Sequence, residues 1–202
     1  MNIIRPCRDG DILSHTKTRP FFTYFILRAF TCLGLSYQIN APASALDEFT
    51  AVNIVSVHHL GPNYSIDEVY VNAQFAGNAG REGGGGGFVC CIMLPEKWRP
   101  GLVANVTWTV LDWRNENYEE IRRGDFNSVI VESRYIACAP VEYYDRPQPL
   151  YVHFFPRGRL RVAPSAYGAF GKGHPISDSP EDESMAAQGT LAGPDMKDCA
   201  SR

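Results

Sequence analysis

Apolar and polar residues change places at every second position over much of the middle of this chain. Leu102 to Leu111 shows the pattern most cleanly, with Val106, Trp108 and Val110 on one face and Asn105, Thr107 and Thr109 on the other. That period is the signature of a half-buried strand. Thr50 to His58 alternates in the same way, and Ile66 to Phe75 reads as a further strand with Ile66, Val69 and Val71 as core positions. Phe88 to Leu94 is a continuous apolar, β-prone run joined to Leu102 by the turn Pro95 to Gly101. Strand-like runs follow within Ser128 to Tyr144, at Leu150 to Phe155 and at Arg159 to Ala163, the last two separated by a hairpin-length turn at Pro156, Arg157 and Gly158. Only Asp112 to Asn127 leaves room for a helical turn. About seven short strands with little helical periodicity predict a mainly β protein, an antiparallel β-sandwich or a partly closed barrel.

The flanks differ from this middle. Met1 to Pro20 is polar and carries Arg5, Arg8, Lys17 and Arg19, Phe21 to Leu35 is apolar but for Arg28, and small residues fill Ala41 to Ala45. Basic, apolar and small residues in that order make residues 1–45 a secretory signal. The apolar run is shorter than the ~20 residues that span a bilayer, so no stable membrane span is expected in the mature chain. Residues 46–175 form the β-rich domain, and residues 176–202, rich in Ser, Asp, Glu, Pro and Gly, are expected to be a disordered tail. The 202 residues suit one domain with tails, and 18 glycines and 14 prolines argue against a helical protein. A net charge of −3 gives no basis for nucleic-acid binding.

Candidate chemistry is sparse. The glycine run Gly83 to Gly87 is followed by neither a helix nor a Lys-Ser/Thr pair, so it reads as a loop and not as a phosphate cradle. Six cysteines lack the paired spacing of a zinc or redox motif. Cys90 and Cys91 are adjacent on a strand, which sends their side chains to opposite faces. The inner one either pairs with Cys138 in a disulfide or is a small buried apolar residue. A cysteine nucleophile would need a base, and His153 is the best placed, on the face opposite Val152. His58 and His59 cannot both face one site. No catalytic residue, metal ligand set or cofactor is assigned. Glu119, Glu120 and Asp125 lie in a solvated charged stretch. What remains is an interaction surface. Glu96, Lys97, Trp98 and Arg99 sit on one turn, and Tyr143, Tyr144, Asp145 and Arg146 form a second aromatic and charged cluster, with Trp113, Arg114 and Tyr118 elsewhere. Trp, Tyr and Arg anchor protein interfaces, although Trp98 equally suits a plug at the end of a sandwich.

Several phrases occur together in order: Asn63-Tyr64-Ser65, Val71-Asn72, Gly86-Gly87-Phe88-Val89-Cys90-Cys91, Leu94-Pro95, Trp98-Arg99-Pro100-Gly101-Leu102, Tyr151 to Phe154, Arg161-Val162 and His174-Pro175. As a set they resemble a bacterial family catalogued only as a domain of unknown function, number 3304. The resemblance implies a small exported protein of a Gram-negative bacterium, and some members act as immunity proteins of type VI secretion lipase effectors. It thereby implies a periplasmic binding protein whose partner is a cognate effector, a phospholipase, neutralised by steric occlusion. Ala29 to Cys32 is a poor lipobox, so a soluble periplasmic form is expected over a lipid-anchored one. The alternative is an envelope structural protein or a small-ligand, sugar-binding β-sandwich. The family supplies no catalytic residue to carry over.

Overall fold

The protein is described here by a computed structural model covering residues 5–6, 48–84, 87–115, 118–126, 130–177 and 179–193. Apart from residues 5–6, the expected secretory signal lies outside the described residues. In chain order the strands are β1 (Arg5–Pro6), β2 (Phe49–His58), β3 (Tyr64–Val71), β4 (Gln74–Phe75), β5 (Val89–Pro95), β6 (Leu102–Asp112), β7 (Val131–Pro140), β8 (Leu150–Phe155), β9 (Arg159–Pro164), β10 (Ala187–Gln188) and β11 (Thr190–Leu191). They form two sheets: a six-stranded one ordered β11-β7-β6-β3-β4 with β1 added against β6, and a five-stranded one ordered β10-β9-β8-β2-β5. The two sheets face each other as a sandwich, not as a closed barrel. The pairings are antiparallel except β2 with β8, which run parallel from Ile54 opposite Leu150 to His58 opposite Phe154.

Alternation sorts side chains into the core as the sequence predicts. Ile66, Val71, Val106 and Trp108 from one sheet meet Ile54, Leu94, Val152 and Phe154 from the other, all buried. Each such side chain contributes roughly 1.5–3 kcal/mol by leaving water. Trp108 is 0 % exposed. Its ring stacks on Tyr135 at 5.4 Å and lies 5.3 Å from Phe154.

Two expectations need correction. Ile66 to Phe75 is not one strand but a hairpin, because Asn72 and Ala73 both take positive φ, 50° and 63°. Two such residues between Val71 and Gln74 make the two-residue turn that matches strand twist. Alanine rarely adopts that conformation, and so the turn left no clear mark in the sequence. Asn72 compensates by gripping β6: its side-chain oxygen accepts from the Asn105 backbone N–H at 2.8 Å, and its own N–H donates to the Asn105 carbonyl at 2.7 Å. The second correction concerns the tail. Residues 176–193 are folded wherever they are described: a short helix α2 (Pro180–Ser184) capped by Ser179 leads into β10 and β11, which extend the two sheets in turn. Its low hydrophobicity misled because the segment is held by backbone pairing and by a buried carboxylate. Asp182 accepts from the Ser177 and Ser179 hydroxyls at 2.6 and 2.9 Å and binds Arg161. Burial raises the Asp182 pKa, but the bonds from Ser177, Ser179 and Arg161 outweigh it and bring it to about 2.

Gly189 is where this segment steps from one sheet to the other, with its N–H donating to the Gly158 carbonyl at 2.9 Å. A Cβ there would lie 2.6 Å from both the Gly158 oxygen and the Trp108 ring. Gly189→Ala is therefore expected to cost about 1–3 kcal/mol of unfolding free energy by overpacking. Urea denaturation measures this, and an unchanged midpoint would show that the crossing is not tight.

Candidate functional site

The two stretches predicted to bind a partner lie far apart in sequence, and the fold brings them to one end of the sandwich. The turn after β5 carries Glu96, Lys97, Trp98 and Arg99, and the segment after β7 carries Tyr143, Tyr144, Asp145 and Arg146. Three contacts weld them. The Trp98 indole N–H donates to the Val141 carbonyl at 2.9 Å, the Trp98 and Tyr143 rings meet edge-on at 5.5 Å, and the buried Tyr144 hydroxyl donates to the Pro95 carbonyl at 2.8 Å. Burial pushes the Tyr144 pKa up to about 12, with Arg99 opposing and Glu96 adding to the rise, so this phenol stays a neutral donor. Glu96 also accepts from the Thr50 hydroxyl, which ties the turn back to β2.

The members of the cluster differ in what they can offer. Trp98 is half-buried and packs on the core, so it closes the end of the sandwich and supports its neighbours. Tyr143 is 67 % exposed, and Lys97, Asp145 and Arg146 are exposed around it. Tyr143 donates to Asp145, which fixes its ring and raises its pKa. Trp113, Arg114 and Tyr118 are not part of this cluster. They lie beyond the opposite end of β6, where Trp113 donates to Ser65 at 3.0 Å and Arg114 pairs with Asp112 at 2.7 Å.

The cysteines depart from expectation. Cys90 and Cys91 are bonded to each other. Alternation, which presumes a trans strand, placed them on opposite faces, whereas the peptide between them is cis. Cys138 is also a disulfide cysteine, but its partner is neither of them. His153 is not brought to these cysteines. It lies on β8, with β2 between it and β5.

Residue order does not reveal that three histidines, His59, His153 and His174, meet on the outer face of the five-stranded sheet. His59 Nε2 lies 2.9 Å from His153 Nδ1, His153 Nε2 lies 2.9 Å from His174 Nε2, and His174 Nδ1 lies 3.0 Å from the Tyr167 carbonyl. A carbonyl only accepts, so His174 carries its proton on Nδ1. With all three rings neutral, His153 must then donate to His174, and His59 to His153. The chain runs one way, and it ties the segment of Tyr167 and His174 to the sheet. The remaining signal in the sequence was the placement of His153 opposite Val152, which holds. The three rings do not converge on one point, and among the described residues no group of three His, Cys, Asp or Glu could hold a metal ion.

His153 is 0 % exposed. Burial, then repulsion from His59, His174 and Arg161, lowers its pKa to about 2 from an ordinary 6.5, with Asp182 opposing. Burial likewise lowers that of His174. Both groups favour the neutral form when folded, so the unfolded chain takes up protons first. Their contribution to stability is complete above 6.5 and declines as pH falls below it. Across about pH 7.5 to about pH 5.5 the expected loss of stability from His153 is about 1.4 kcal/mol in all. Urea unfolding between about pH 7.5 and about pH 5.5 measures it, and His153→Phe should flatten the slope. Equal slopes in the two proteins would refute this origin.

No helix among the described residues is long and apolar enough to cross a membrane. No curated protein and no solved structure matches the chain. A family model does match, over residues 61–162, which run from the turn before β3 through most of β9 and include the Cys90–Cys91 pair, the Trp98 turn and the Tyr143 segment. The chain belongs to that family, described as protein of unknown function (DUF3304).

Proposed function

We propose that this protein is an immunity-type binding protein of the Gram-negative periplasm, which neutralises a secreted antibacterial effector of the type VI phospholipase class by steric occlusion. The observation that carries this reading is the convergence of Trp98 and Tyr143 at one braced end of the sandwich. An aromatic side chain already held by a hydrogen bond loses little freedom on binding, so its contact area converts efficiently into affinity. Tyr143 is the central anchor in this reading. Lys97 and Arg146 supply a charged rim that steers encounter, and Trp98, Tyr144 and Glu96 hold the platform. Covering the effector's active site or substrate entrance needs no cofactor and no reacting group. The resemblance to immunity members of the family supports the role, and the signal-like order of residues 1–45 supports the compartment.

A second reading, small-ligand binding, is favoured by one feature. The outer face of the six-stranded sheet has a hollow of about 300 Å³ lined by Tyr70, Ala73, Asn105, Thr107 and Arg134. An aromatic ring beside amide, hydroxyl and guanidinium groups suits a sugar.

The test is a phospholipase assay with a purified type VI phospholipase effector from the source cell, titrated with the purified protein, together with calorimetry of the mixture. Stoichiometric loss of lipase activity is expected. The double variant Tyr143→Ala, Arg146→Glu should bind at least roughly tenfold more weakly while staying folded with at most a small fall in melting midpoint, because both side chains are largely exposed and only the edge contact of Tyr143 with Trp98 is lost. Full lipase activity in excess protein would end the immunity reading, and an unweakened double variant would move the interface elsewhere.

A further inference from the structure

We propose that the Cys90–Cys91 disulfide is a thiol–disulfide exchange site, opened by a dithiol carried on another protein. The first ground is what this bond cannot do for stability. A disulfide stabilises mainly by closing a loop in the unfolded chain, and its effect grows with the residues enclosed. Cys90 and Cys91 are neighbours, at a sequence separation of 1, so the bond encloses no intervening residue and restricts the unfolded chain almost not at all. The second ground is access. β5 is the edge strand of its sheet, and Cys90 is exposed while Cys91 is half-buried. Exposed disulfides are the ones that exchange, since a thiolate must approach a sulfur directly.

The third ground points to the partner. The bond is preceded by a large apolar side chain left in water: Phe88, two residues before it, is 63 % exposed. A small hydrophilic thiol gains nothing from an exposed phenyl ring, whereas a protein presenting its dithiol on an apolar surface does.

A thiolate of the partner attacks Cys90 Sγ, the Cys90–Cys91 bond breaks, and Cys91 leaves as a thiolate that takes a proton from water. The resulting thiol has an acceptor in reach, because Cys91 Sγ lies 3.9 Å from Asn53 Oδ1. The partner's second thiol then attacks the mixed disulfide and releases the Cys90 thiolate. Cys90 and Cys91 gain two electrons, and the partner's dithiol becomes a disulfide.

The experiment exposes the oxidised protein to reduced glutathione, or to thioredoxin with its reductase, at matched thiol concentration. Samples are quenched with an alkylating reagent, and labelling at Cys90, Cys91 and Cys138 is followed by peptide mass spectrometry. Cys90 and Cys91 are expected to label together, and several-fold faster with thioredoxin than with glutathione. The variant Phe88→Ala should slow the thioredoxin reaction and leave the glutathione reaction unchanged. If Cys90 and Cys91 stay unlabelled under reductant that opens the exposed disulfide of a reference protein in the same time, the exchange site is refuted. If both reductants act alike and the phenylalanine variant changes neither rate, the protein partner is refuted. A marked fall in the melting midpoint of Cys90→Ser, Cys91→Ser would show the bond to be structural and overturn the proposal.

Discussion

The sandwich closes on the indole of Trp108. Tyr135 of its own sheet covers one side, Phe154 of the facing sheet another, and the backbone at Gly189 passes so near that not even a methyl group fits between. A ring of that size at the centre of a two-layer fold sets the distance between the layers. It also explains why two glycines, Gly158 and Gly189, are joined by a hydrogen bond across the same end. The chain can step from β10 to β11, and so from one sheet to the other, only where side chains are absent. The last described segment is in this way part of the core architecture and not an appendage to it.

The opposite end is closed by different chemistry. There the chain leaves β7 at Val141, which pairs with Val162 of the other sheet, and its carbonyl receives the Trp98 indole. One tryptophan is sealed by apolar contact, the other by a hydrogen bond with its outer edge toward solvent. That difference leaves the Trp98 end a surface braced from within and open to water, which is what the proposed binding role rests on. The outer face of the five-stranded sheet is a third environment. Its histidine chain and the Arg161 pairs with Glu142 and Asp182 are polar groups covered by the segment from Tyr167 to Ser184. Burial there is tolerated because each group has a partner.

Much of this was legible from residue order. The strands over Thr50 to His58, Phe88 to Leu94, Leu102 to Leu111, Leu150 to Phe155 and Arg159 to Ala163 all form within a residue or so of their expected limits, and the inward faces of β6 and β8 are those the alternation indicated. Less was legible where a position's conformation is rare for its residue. Ala73 at positive φ hid a hairpin, and the cis peptide between Cys90 and Cys91 undid an inference built on strand geometry. The histidine chain was invisible because its members, His59, His153 and His174, are brought together from three separate segments.

From the sequence alone came the strand set, the mainly β class, the family, and the residue types able to form an interface. Those follow from period and composition, which are local properties that each segment carries by itself. Only the tertiary structure decided that the Trp98 turn and the Tyr143 segment are one surface, that Cys90 pairs with its neighbour and not with Cys138, that β2 and β8 run parallel, and that the acidic tail completes both sheets. Each of these depends on which distant segments come into contact. That is settled by how two sheets share one core, and no single segment encodes it.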